Sequence, residues 1–316
     1  MQTLTFRNND TIPALGLGTW KSEPGEVYQA VKYALEEGYR HIDCAPIYGN
    51  ELEIGKALQE SFRSGIVKRE ETWITSKLWN DSHLPEDVEP ALRRTLHDLQ
   101  LQYLDLFLIH WPVALKKGID FPRSGRDMLS STEAPLTTTW QAMEGLVDKG
   151  LVRHIGVSNF GTGNLSLLLE NSRIKPEMNQ VELHPYLTQS DLVEYCRKND
   201  ILVTAYSPLG SSDRAAGLKA PDEPVLLEDS TVNQIASGYD CTPAQVLIAW
   251  SLQKGFCVIP KSVHEGRIKQ NLQAQQITLS EQEMLKVDRL NKDYRYVNGE
   301  FWVKEDGPYR LEDIWY

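Results

Sequence analysis

The sequence predicts an α/β protein: a single (β/α)8 TIM barrel over residues 1–316, with an N-terminal β-hairpin and a long C-terminal loop. Three observations lead there. Short β-type runs open at residues 14, 40, 72, 104, 154, 177, 201 and 256. Each is followed by a segment with apolar residues at helical spacing, and eight such units fit a closed parallel barrel. The competing doubly wound sheet carries a glycine fingerprint at its first strand-helix turn. Gly16 and Gly18 begin one here, but Lys21 stands where the third glycine belongs.

The hairpin comes from residues 4 to 12, where Asn8, Asn9 and Asp10 supply turn chemistry between LTF and TIP. ALGLGTW is the first barrel strand. VYQAVKYALEEG places apolar residues at 27, 31, 34 and 35 and stops at Gly38, after which YRHID reads as a strand. NELEIGKALQESF precedes the β-branched and aromatic TWITSK, and PEDVEPALRRTLHDL precedes LDLFLIH. The alternation carries TTTWQAMEGLVDKG into HIGVSN, GNLSLLLENS into EMNQVEL, SDLVEYCRKND into ILVTAYS and PAQVLIAWSLQKG into FCVIPKS, with RIKQNLQAQ last. Loops over 112–136 and 208–229, and the tail after about 291, exceed ordinary connection lengths; in a barrel, long loops after strands are where ligands are recognised.

With 41% hydrophobic and 24% charged residues the chain suits a soluble fold with a substantial core, and its net charge of −11 excludes a nucleic-acid binder, which needs a basic face. No run approaches the length of a membrane span, Asp105 and His110 interrupting LQYLDLFLIHWPVAL, and no secretory apolar stretch opens the chain. No membrane partner and a cytoplasmic location are expected. Cys44, Cys196, Cys241 and Cys257 have no metal-ligand or paired spacing, so neither a metal nor a disulfide framework is expected.

Asp43, Lys77 and His110 close or directly follow three consecutive strands, and Tyr48 lies five residues beyond Asp43. Singly, a strand-end aspartate caps a helix, a tyrosine packs a rim and a histidine satisfies a core. Four complementary groups at one end of adjacent strands exceed what capping requires. An ammonium beside a phenol favours phenolate and lowers a pKa that starts at about 10, with Asp43 holding Lys77 charged. Tyr48 would then donate a proton, and neutral His110 would orient a carbonyl and share its developing charge. In so acidic a chain, Lys261, Arg267 and Lys269 with Ser262 beside them form an informative basic cluster; placed after the eighth strand and before a helix start, it reads as phosphate chemistry. Trp20, Trp79 and Trp111 follow strands by one or two residues and are expected half exposed at the rim, walling an apolar pocket.

In combination, GLGTW (16–20), HIDCAPIYGNE (41–51), SKLWN (76–80), LIHWP (108–112), GVSNF (156–160), NQVELHP (179–185), AYSPLG (205–210) and IPKS (259–262) resemble the aldo-keto reductase superfamily over nearly the whole chain. The resemblance implies a monomeric, NADPH-dependent carbonyl reductase with Tyr48 as general acid and Asp43, Lys77 and His110 as its partners. Related steroid double-bond reductases carry glutamate where His110 stands, which favours C=O over C=C reduction. The resemblance also assigns Lys261, Ser262 and Arg267 to the 2′-phosphate of NADP+, and Gln270, where many relatives have glutamate, to the adenine with Asn271. Ser158, Asn159 and Gln180 would hold the carboxamide, while Tyr206 stacks on the nicotinamide beside Thr19, Trp20 and Asp43. Ser207, Leu209, Ser211 and Asp213 would line the pyrophosphate. A small-molecule carbonyl substrate would meet Trp20, Ile47, Tyr48, Trp79, His110, Trp111 and, from the tail, Trp302. Two rivals stay open. A glycoside hydrolase would use Glu182 with Asp43 but leaves the basic cluster unexplained. A redox-sensing, nicotinamide-binding regulatory subunit has the intact tetrad against it.

Overall fold

Apolar runs without a polar face suit parallel strands covered by helices on the outside. That is how the chain is arranged in a computed structural model, which describes residues 2–211, 214, 219–220 and 222–316. β1 (Thr3–Thr5) and β2 (Thr11–Pro13) form the antiparallel hairpin. β3 (Leu17–Gly18), α1 (Glu26–Glu37), β4 (His41–Asp43), α2 (Glu51–Arg63), β5 (Trp73–Leu78), α3 (Pro85–Asp98) and β6 (Leu104–Ile109) follow. The 112–136 loop contains a small hairpin that the sequence did not suggest, β7 (Ala114–Leu115) with β8 (Met128–Leu129), ahead of α4 (Leu136–Asp148). Next come β9 (Val152–Ser158), α5 (Thr162–Asn171), β10 (Met178–Glu182), α6 (Ser190–Lys198) and β11 (Leu202–Tyr206). α7 (Ser230–Gly238) and α8 (Pro243–Gln253) precede β12 (Cys257–Val258), after which come α9 (Glu265–Gln273), α10 (Glu281–Asp288) and α11 (Leu311–Trp315). α7, α10 and α11 were also unanticipated. No helix among the described residues is long and apolar enough to cross a membrane.

Eight parallel strands lie in the order β3-β4-β5-β6-β9-β10-β11-β12. The Gly16 and Gly18 N–H groups donate to Val258 O at 2.9 Å and Pro260 O at 3.1 Å, and the Val258 N–H donates to Ala14 O at 2.7 Å, joining last strand to first. The result is the predicted (β/α)8 barrel. Its closing seam is built from single bridges, Leu15 with Val258 and Gly18 with Lys261, which is why β3 is shorter than the expected run from residue 14. Gly18 serves this seam, where a β-carbon would stand 2.7 Å from Ile259 O, while a β-carbon on Gly16 would stand 2.7 Å from His41 Nδ1 of the neighbouring β4. The abortive fingerprint is thus a packing requirement.

The hairpin covers the N-terminal ends of the strands, where Phe6 and Ile12 pack with Trp73, Met178 and Cys257. Phe6 stacks on both Trp73 and His154, and Arg153 pairs with Asp10 at 2.7 Å. At the opposite end a second apolar cluster joins Trp79 and Trp111 to Met128 and to Trp302, Tyr309 and Ile314 of the C-terminal tail. The site therefore has to lie at the end the hairpin leaves open.

The seam geometry yields a stability prediction. Gly18→Ala forces its methyl against the Ile259 carbonyl and should cost about 1–3 kcal/mol by overpacking. A denaturant midpoint identical to that of the unsubstituted protein would show that the seam has slack.

Candidate active site

The four residues singled out at strand ends converge. Lys77, inside β5, reaches across to the last residue of β4, its Nζ donating to Asp43 Oδ1 at 2.6 Å and to Cys44 O at 2.9 Å. The same Nζ lies 3.4 Å from the Tyr48 hydroxyl, which hangs from the turn Pro46–Tyr48 just beyond β4. His110, directly after β6, sets its ring edge-on to Tyr48 with centroids 6.0 Å apart. Asp43 Oδ2 accepts from Gln180 Nε2 at 2.7 Å, so β10 is tied to β4 across the barrel mouth. The rim network continues: Ser158 Oγ donates to Gln180 O at 2.8 Å, Asn159 Nδ2 to His110 O at 3.0 Å, and the Tyr206 hydroxyl to Asn159 Oδ1 at 2.8 Å.

Burial dominates the electrostatics. It pushes the Tyr48 phenol up to about 12, with Lys77 pulling the other way. The expected lowering is therefore corrected: desolvating a phenolate outweighs an ammonium whose charge Asp43 already neutralises. Burial also opposes the charge on Lys77, yet Asp43 and then Tyr48 hold its pKa above the ordinary lysine value. For His110, burial and then Lys77 act together and hold the ring well below the usual histidine range, so it is neutral at pH 7. Beneath the loop bearing Tyr48, burial lifts Glu51 to about 7 against hydrogen bonds from Ser76 and Thr95.

These groups open into one cavity of about 1070 Å³ that runs from Trp20, Ile47, Tyr48 and His110 to Lys261, Ser262, Arg267, Gln270 and Asn271. Between those ends the lining includes Thr19, Asp43, Ser158, Asn159, Gln180, Tyr206, Ser207, Leu209 and Ser211, with Trp79 and Trp111 also in the wall, at the end of Tyr48 and His110. At the opposite end Lys261 Nζ donates to Lys21 O at 2.9 Å. Lys77 lies below the floor, fully buried, and touches the cavity-lining Tyr48 and Asp43 without itself lining the cavity. Asp213 lies outside the described residues.

Two expectations about the pocket wall change. Trp79 and Trp111 are not half exposed but about 95% buried, because Phe301 and Trp302 of the tail press on them. Trp302 itself is fully buried behind those indoles and does not line the cavity; its neighbour Phe301 does, with Phe121, Tyr296, Val297 and Asn298. The sequence also passed over Lys21, Arg214, Leu227, Thr242, Pro243, Ala244, Val263 and His264 as lining residues. None carries a spacing signal; they are loop and helix-start positions gathered by the fold. Glu182 is fully engaged elsewhere, accepting from His184 Nε2 at 2.8 Å and from the Tyr296 and Val297 N–H groups at 2.7 Å each. A hydrolase loses its second carboxylate.

Residues 14–292 match the model of the aldo/keto reductase family. The chain is 54% identical over 315 residues to an aldo/keto reductase of Synechocystis sp., covering 100% of this chain and 96% of that one. It is 53% identical over 288 residues to aldo-keto reductase family 1 member A1 of Sus scrofa, covering 90% and 88%. Among solved structures, the aldose reductase from Schistosoma japonicum superimposes with a TM-score of 0.87 at 44% identity, covering 96% of each chain.

Glu51 supplies a pH prediction. Its ordinary pKa of 4.5 rises to about 7 in the fold, so between those values the folded chain binds more protons than the unfolded one. Stability from this group is lost as pH rises through that window and stays lower above it. Glu51→Gln should be more stable than the native chain at pH 8, by about 2–3 kcal/mol, with the gap closing towards pH 5. Urea titrations at several pH values check this; a gap independent of pH would assign the effect to packing.

Proposed function

The chain belongs to the aldo/keto reductase family, and from that premise we propose that it reduces aldehydes and ketones to alcohols with NADPH, Tyr48 being the proton donor. One observation carries the reading: the Asp43–Lys77–Tyr48 chain opens into the same cavity whose far end bears Lys261, Ser262 and Arg267. Cationic side chains, a hydroxyl and the start of α9 form an anion-binding donor set suited to a 2′-phosphate, and the donors and acceptors between fit the rest of a dinucleotide. When bound, the reduced nicotinamide supplies the hydride.

The chain's residues divide the remaining work. Lys261, Ser262 and Arg267 would hold the 2′-phosphate, Gln270 and Asn271 the adenine, and Ser207, Leu209 and Ser211 the pyrophosphate. Gln180 spends its Nε2 on Asp43 and keeps Oε1 as an acceptor for a carboxamide, beside Ser158 and Asn159. Tyr206 offers a ring face and Thr19 with Trp20 the flank. At the reacting end, Tyr48 remains protonated at neutral pH and can surrender its proton to an alkoxide, a stronger base than phenolate. Lys77 stabilises the phenolate left behind, Asp43 keeps Lys77 charged, and neutral His110 donates a hydrogen bond to the carbonyl oxygen without ionising. Trp20, Ile47, Trp79, Trp111, Phe121 and Phe301 exclude water and favour an apolar substrate tail.

Tyr48→Phe should slow aldehyde reduction about 100- to 10,000-fold while NADPH, followed by fluorescence, binds as before. Turnover within about tenfold of the unsubstituted enzyme would sink the proton-donor role. Lys261→Ala combined with Arg267→Ala should weaken NADPH about 100-fold or more and NADH little, because charge-assisted phosphate contacts are lost. Equal weakening of both nucleotides removes the 2′-phosphate assignment, and an absence of turnover with tight nucleotide binding would favour a regulatory subunit.

A further inference from the structure

We propose that Gly125 and Gly161, neither of which reaches the cavity, are positioning residues that fix the C-terminal tail over the substrate and so set which carbonyl compounds fit. The inference rests on the reductase reading above. The tail is fastened at three places. Its root is held by Glu182, whose carboxylate takes the N–H groups of Tyr296 and Val297. Its middle meets the 112–136 loop, where the Gly125 N–H donates to Asp306 Oδ1 at 2.7 Å. Its end meets the start of α5, where the Gly161 N–H donates to Ile314 O at 3.3 Å and Asn164 Nδ2 to Asp313 O at 2.9 Å.

At the second and third places backbone lies against backbone. A β-carbon on Gly125 would overlap the carbonyl of Asp306, and one on Gly161 would overlap the carbonyl of Trp315. On Gly163 it would stand 2.8 Å from Tyr316 O. All three distances fall inside the roughly 3.5–4.0 Å at which carbon makes ordinary contact. Backbone conformation does not demand these glycines. Gly161 sits at φ −76 and ψ 175, which any residue adopts, and neither Gly125 nor Gly163 has a positive φ. Only the closeness of the tail excludes a side chain.

From the root towards those seats run the residues that face the cavity, Val297 at the root itself and then Asn298 and Phe301, and the indole of Trp302 that backs Trp79 and Trp111. The loops bearing Gly125 and Gly161 follow β6 and β9, the strands that carry His110 and the Ser158–Asn159 pair at their ends. Tail and reacting centre are thereby referenced to the same two strands. A methyl at either seat raises the tail relative to His110 and widens the pocket. Substrates large enough to touch Phe301 and Val297 lose contact; small ones do not.

The test compares Gly125→Ala and Gly161→Ala with Gly145→Ala, a control on α4 whose β-carbon would meet nothing within 4 Å. For both seat variants KM for 4-nitrobenzaldehyde should rise about tenfold or more, while kcat for propanal and the Kd for NADPH stay within about threefold, since misplacement of a wall by about 1 Å is enough for such a loss. Unchanged KM values in both variants, or equal losses for the two aldehydes, overturn the inference alone. Should a seat variant fail to fold, Asp306→Ala removes the Gly125 hydrogen bond without adding bulk and should move KM in the same direction; no movement overturns the inference. An unsubstituted enzyme that reduces neither aldehyde overturns the reductase reading and this inference with it.

Discussion

An ammonium and a carboxylate withdrawn from water, Lys77 and Asp43 at 2.6 Å, are the interaction on which the open end of the barrel depends. Each charge buried alone would cost several kcal/mol, so the pair persists only because every remaining valence is met. Cys44 O takes a second proton of the ammonium, and Gln180 fills the other carboxylate oxygen. The Thr19 hydroxyl donates to Asp43 O at 2.7 Å, while Asn50 Nδ2 holds Thr19 O at 2.9 Å. These bonds bring β4, β5, β10 and the segment after β3 to one point. Curling of the sheet is what lets Gln180 of β10 reach a pair formed between the adjacent strands β4 and β5, and the pair in turn contacts the turn on which Tyr48 sits.

The electrostatic outcome matches an uncharged reactant. Lys77 and Asp43 cancel one another, His110 is held neutral and Tyr48 keeps its proton, so the end of the cavity at Tyr48 and His110 carries little net charge among polar groups that can still donate. At the other end Lys261 and Arg267 form no ion pair among the described residues, in a protein of net charge −11. One cavity thus offers two chemically distinct ends, a hydrogen-bonding end for a neutral group and a cationic end for an anion.

Much of this was legible in the sequence, for identifiable reasons. Strand starts after the first fell within two residues of expectation because buried parallel strands are continuous apolar runs bounded by helix stops such as Gly38, whose N–H closes α1 onto Ala34 O and Leu35 O. Asp43, Lys77 and His110 were recognisable together, because complementary polar groups at the same end of adjacent strands exceed what capping and core packing require of each one alone. What escaped was whatever depends on distance along the chain. Glu182 reads as a possible catalytic acid until its partners, the Tyr296 and Val297 amides, are seen to come from the tail. Phe301 and Trp302 are adjacent in sequence, and only the turn Glu300–Trp302 decides that the first faces the cavity and the second backs it. The direction in which Tyr48 shifts was misjudged because residue types reveal the neighbouring charge but not the depth of burial.

The hairpin that stoppers the lower end has a consequence for traffic. With Phe6 and Ile12 wedged among Trp73, Met178 and Cys257, the vessel is single-ended. Under the proposed role of Tyr48, recharging that acid and releasing the product would both run toward the end that the hairpin leaves open.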